Sequence, residues 1–91
     1  MIEITAVRLT GGIGHEHITD VMWRSEATPA GLTSRQALVD WLSTSSSNQA
    51  VALDGQGTVQ VEVVRPAGEP PYLRARAGGT WTDDLLALPR F

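Results

Sequence analysis

Apolar and polar residues alternate with a period of two along several stretches of this chain, and a period near 3.6 appears once. Ile2, Ile4 and Ala6 alternate with Glu3 and Thr5, which predicts a half-buried strand over residues 1–9. Gly11, Gly12 and Gly14 supply a flexible turn. Residues 17–24 read as a second strand, with Ile18, Val21 and Trp23 apolar. Ile18 and Val21 fall on opposite parities, which allows a bulge there. Residues 25–32 read as a loop marked by Pro29 and Gly31. Thr33-Ser34-Arg35-Gln36 has the form of a capping box, the Thr33 hydroxyl accepting from the Gln36 amide. Behind it Ala37, Leu38, Trp41 and Leu42 recur at helical spacing and predict a helix over residues 34–44. Three serines and Asn48 end it, with Asn48 able to take a left-handed cap.

The second half is richer in strands. Residues 50–53 form a short apolar run, and Asp54-Gly55-Gln56-Gly57 reads as a hairpin turn. Residues 58–64 carry the clearest alternation: Val59, Val61 and Val63 on one face, Gln60 and Glu62 on the other. After a proline-rich turn at 66–71, residues 72–77 place Leu73, Ala75 and Ala77 inward and Tyr72, Arg74 and Arg76 outward. Antiparallel pairing of these two strands would let Glu62 meet Arg74 or Arg76. In the tail, Thr82 can cap one helical turn, with Asp83 and Asp84 at its positive end and Pro89 stopping it. The predicted architecture is α+β: one domain over residues 1–91 without a linker, a two-layer sandwich in β-β-α-β-β-β order. One helix covers an antiparallel sheet, and an apolar C-terminal tail docks on the domain.

Four segments carry a resemblance: His17-Ile18 with Val21-Met22-Trp23; Ser34-Arg35 with Val39 and Trp41-Leu42; Tyr72-Leu73-Arg74; and Leu85-Leu86-Ala87-Leu88-Pro89. Together they resemble a small bacterial and phage family catalogued as a domain of unknown function, number 3892. The last two segments are the most specific. The chain departs from the family pattern at Ala75, where Thr is usual, near Gly78 and Gly79, where Asp is usual, and at Asp84, where Asn is usual. The resemblance spans nearly the whole chain and implies a single compact domain. It implies no activity.

Composition removes whole classes of chemistry. The 91 residues include no cysteine and no lysine, and all seven basic residues are arginine. Disulfides, thiolate nucleophiles, cysteine zinc sites, Schiff bases and a P-loop lysine are therefore excluded. The net charge is −3 and the pI about 5.1, which argues against nucleic acid as a partner. No apolar run approaches the roughly 18 residues of a membrane span. The first nine residues hold Glu3 and only Arg8 as a base, unlike a signal peptide, so a cytoplasmic protein without membrane contact is expected.

The candidate chemistry is correspondingly thin. Ser43 to Ser47 follow a helix and lie in no Gly-x-Ser-x-Gly elbow, and Gly11-Gly12-Ile13-Gly14 matches no phosphate-binding fingerprint. No catalytic constellation, cofactor or metal is expected. A metal, if bound, would use His15 and His17, which at i and i+2 share a strand face, with Asp20 as third ligand. Tyr72, Arg74, Arg76 and Trp81 are the candidates for a partner or anion site, through stacking and guanidinium hydrogen bonds. Trp81, Leu85, Leu86, Leu88 and Phe91 are the candidates for self-association. The favoured reading is a non-enzymatic interaction module whose partner is itself, as a homodimer, or another protein. The alternative is a binder of an anionic ligand or single-stranded nucleic acid.

Overall fold

The alternation is realised as one curved sheet with a helix packed on it, in a computed structural model that describes residues 1–53 and 55–91. The strands in chain order are β1 (Ile2–Leu9), β2 (Ile18–Arg24), β3 (Gly31–Ser34), β4 (Ala50–Leu53), β5 (Thr58–Val64), β6 (Tyr72–Ala77) and β7 (Thr80–Thr82). The helix α1 (Arg35–Thr44) links β3 to β4, and a 3-10 turn, His15–His17, precedes β2. Across the sheet the order is β3-β2-β1-β4-β5-β6-β7. The fold class is α+β.

The sheet is mixed, not antiparallel as the pattern suggested. β1 and β4 run parallel, with Ile2 opposite Ala50 and Glu3 opposite Val51. Two hairpins bring the chain to β3 in the same direction as β1. The α1 crossover then preserves that direction and delivers β4 to the free side of β1. Two strands add to the expected five. Within the expected loop at 25–32, Ser25 N donates to Thr28 O at 2.8 Å and Thr28 N to Ser25 Oγ at 3.1 Å. This tight turn folds the chain back, so that Gly31 to Ser34 pair with β2. At the other end Gly78 and Gly79 both have positive φ, 59° and 82°. A two-residue turn of that hand closes a hairpin, and β7 pairs back on β6. The sequence order of elements is thus β-β-β-α-β-β-β-β.

Helix α1 starts one residue later than the capping box implied. Ser34, not Thr33, is the N-cap, and its Oγ accepts from Ala37 N at 3.2 Å. Gln36 donates instead to Asp40, 2.9 Å away on the next turn. Thr33 is engaged in β3 opposite Val21, which holds it in extended backbone just short of the cap. At the far end Asn48 is not left-handed, since no described non-glycine residue has positive φ. Its side-chain amide donates to Trp41 O at 2.8 Å and so satisfies a terminal carbonyl from outside the helix.

Two bulges set which side chains face inward. In the β1–β2 ladder Ile4 pairs with Trp23 and Ala6 with Met22, leaving Thr5 as an extra residue on β1. Val7 is thereby turned into the core opposite Val21. Further along, Arg8 pairs with Asp20 and Leu9 with Ile18, leaving Thr19 extra on β2. This is the bulge that the opposite parities of Ile18 and Val21 allowed, and both side chains are fully buried.

The core collects Ile4 and Val7 from β1, Ile18 and Val21 from β2, Leu38 and Val39 from α1, and Val59, Val61, Leu73 and Ala75 from β5 and β6. Leu85 of the tail is buried among them, and Leu86 and Leu88 pack against the cluster. β1 meets β4 through only two residue pairs, so the rest of that side of β1 is open to the tail. Val7 N donates to Pro89 O at 2.9 Å, and Phe91 N donates to Val7 O at 3.2 Å. Arg90 closes the final turn by donating to Leu86 O and Leu88 O. The turn expected at 54–57 joins β4 to β5 with Leu53 opposite Thr58. Its Asp54 lies outside the described residues.

Candidate functional site

Strand alternation puts Tyr72, Arg74 and Arg76 on the face of β6 opposite Leu73 and Ala75, as expected. Glu62 stands directly across the ladder from Arg74. The guanidinium nonetheless binds elsewhere: Arg74 Nε donates to Thr82 O at 3.1 Å and Nη2 to Asp83 Oδ1 at 3.0 Å. Arg76 lies over the ring of Trp81, its partner in the β6–β7 register, 5.1 Å from the centroid. The expected Arg–Tyr face is therefore largely engaged within the chain, and Trp81 remains 38% exposed beneath Arg76.

His15, His17 and Asp20 do not come together. A 3-10 turn advances about 120° per residue, so residues two apart diverge rather than share a face. His17 Nδ1 accepts from Gly14 N at 3.2 Å and lies 3.4 Å from a Glu16 carboxylate oxygen. Asp20 sits in the β2 ladder opposite Arg8 and Ser34. Among the described residues no three His, Cys, Asp or Glu side chains are grouped to hold a metal ion.

His15 instead turns inward and meets the end of β7. It is the one buried polar or charged residue among those described. Its Nε2 is buried without a hydrogen-bond partner and lies 3.9 Å from Asp83 Oδ1, the oxygen that Arg74 holds. Burial first, and then the neighbouring Arg74 charge, push the His15 pKa below its ordinary value of 6.5; Asp83 and Glu16 oppose them. Asp83 itself is exposed. Sequence reasoning missed this contact. The signal was the Gly78-Gly79 pair: a two-residue turn there sets Ala75 opposite Thr82, and one step further sets Arg74 beside Asp83.

The second region lies at the other end of the sheet. β3 is the edge strand, so its outer side pairs with no strand among the described residues. None of its four residues is charged. Trp23 folds its indole over Gly31, where an added Cβ would come within 2.3 Å of the ring. From this edge past α1 to β4 and β5 runs an open groove of about 1160 Å³, lined by Trp23, Glu26, Leu32, Trp41, Val51 and Thr58 among others. Leu32 is 64% exposed and Met1 71%. At the rim Arg24 makes a two-pronged ion pair with Glu3, with contacts of 3.1 to 3.3 Å, so those two charges cancel. The apolar character of Leu32 and the two tryptophans was legible in the sequence; that β3 brings them to an edge was not.

The tail candidates divide. Leu85 is in the core, and Leu86 and Leu88 pack on it. Phe91 lies under Arg8, whose guanidinium is 4.7 Å from the ring centroid. Only Trp81 of that set counts among the exposed large apolar side chains. No helix of the described residues is long and apolar enough to cross a membrane. No curated protein and no solved structure matches the chain. The family described as proteins of unknown function and designated DUF3892 does match, over residues 3–89, and the chain belongs to it.

Proposed function

We propose that the protein is a non-enzymatic interaction module that associates with a second copy of itself, edge to edge, through β3. The observation that carries this reading is the unguarded edge. Sheets of monomeric proteins blunt their edges with charge, proline or bulges, because exposed backbone groups recruit another strand. Gly31, Leu32, Thr33 and Ser34 carry none of these devices. Strand addition would satisfy the outer backbone groups of β3 and cover the exposed Leu32.

A second copy fits this edge by charge and by symmetry. The chain carries a net charge of −3, yet β3 is uncharged and at the groove rim Glu3 is paired with Arg24, which leaves the charge of Glu26. Like-charge repulsion between two copies is therefore weak along β3 itself. Antiparallel pairing about a two-fold axis through Leu32 sets Leu32 against its counterpart and Gly31 against Thr33 of the other copy. The contact is isologous and closes at two subunits. The non-enzymatic part of the reading rests on the side-chain inventory, which lacks cysteine and lysine and places its serine run after a helix.

Sedimentation velocity over a wide concentration range tests the proposal. The wild type should show a reversible monomer–dimer equilibrium, and Leu32→Glu should sediment as a monomer throughout. A wild type that stays monomeric at the highest concentration, or a Leu32→Glu variant that dimerises equally well, would overturn it.

A further inference from the structure

We propose that Arg74 and His15 form a binding site for a phosphate-type oxoanion, over which the Asp83 carboxylate stands as an internal substitute. The site lies where the 3-10 turn before β2 meets the ends of β6 and β7, and it does not depend on self-association. Arg74 is pre-set for an anion: its Nε is tied to Thr82 O at 3.1 Å, which fixes the plane of the guanidinium fork. Its Nη2 already holds a carboxylate oxygen at 3.0 Å.

Asp83 fills this place incompletely. It offers one oxygen, Oδ1, to both donors, and reaches Arg74 while remaining 3.9 Å from His15 Nε2. That nitrogen is buried and unpartnered, which is a standing cost. A tetrahedral oxoanion directs its oxygens apart and can meet Arg74 Nη2 and His15 Nε2 together. Asp83 is 77% exposed, and an ion pair of such exposure holds weakly, so an incoming anion can displace it. A cation is disfavoured at the same place, because the Arg74 charge lies against the Asp83 carboxylate that faces His15.

The test follows the two histidine ring Hε1 resonances of the full chain by NMR. Sodium phosphate is titrated at fixed pH and ionic strength, with sodium acetate as a second arm. The expected result is a saturable phosphate-dependent shift of His15, with His17 unmoved. In Asp83→Asn, which removes the competing charge at constant shape, phosphate should bind about tenfold more tightly than in the wild type. Arg74→Gln should abolish the shift. Absence of saturation in Asp83→Asn, equal affinity with and without Asp83, or saturation by acetate as strong as by phosphate would overturn the assignment. The ratio between wild type and Asp83→Asn decides the matter even if Arg74→Gln fails to fold.

Discussion

The two edges of this one sheet are both short and uncharged, and they differ in what adjoins them. β7 ends it with three residues, closed by a tight glycine hairpin, stacked under Arg76 and followed at once by Asp83 and Asp84. The outward arginines of the neighbouring β6 are engaged within the chain, Arg74 on Thr82 O and Asp83, Arg76 on Trp81. β3 ends the sheet with four uncharged residues, an exposed leucine and an apolar groove at its side. A row of charged side chains is a poor guide to a binding surface unless their partners are known. Charge at an edge also serves to keep other strands away. The unguarded edge is the one open to addition.

The comparison breaks first if the β7 end is not the structural one. Leu85→Ala removes a fully buried side chain of the segment that follows β7 from the core. It should lower the unfolding free energy by about 2–5 kcal/mol, measured by urea denaturation. At the β3 end, Gly31→Ala would drive a Cβ into the Trp23 indole. The ring must swing away, at a cost of about 1–3 kcal/mol, and the groove should lose its wall, seen as a change in tryptophan fluorescence. Arg74→Gln should cost no more than about 1 kcal/mol, since its ion-pair partner is largely exposed.

The β7 end carries a pH dependence through His15. The unfolded chain protonates His15 near 6.5, whereas burial and Arg74 hold the folded value lower. Between those values the unfolded state binds more protons, so stability rises with pH and is lost on acidification from about 6.5 downward. His15→Gln should flatten that slope in urea midpoints measured across this range. Leu32→Glu should have the smallest effect on stability, within about 0.5 kcal/mol, while removing self-association.

Much of the fold is legible where a strand announces itself by local alternation. Val59, Val61 and Val63 fix β5 at the expected residues, and Leu73 and Ala75 do so for β6. The bulge near Ile18 follows from parity alone. What escapes local reading depends on contacts distant in sequence or on very short elements. β3 has only four residues, preceded by Pro29 and opening on Gly31, and its strand character comes from pairing with β2. The parallel β1–β4 contact rests on two residue pairs across a helical crossover. Thr33 and Ser34 are both capping residues, and it is Ser34, the last residue of β3, that caps the helix. At the candidate sites the residue types were visible but their partners were not. His15 meets Asp83 across nearly the whole chain, and no periodicity encodes that.

Amide hydrogen exchange at low and high protein concentration compares the two edges in one experiment. Exchange at Gly31 to Ser34 should slow as concentration rises, while exchange at Thr80 to Thr82 stays constant. Unchanged exchange in β3, or slowing confined to β7, would contradict the assignment of β3 as the open edge.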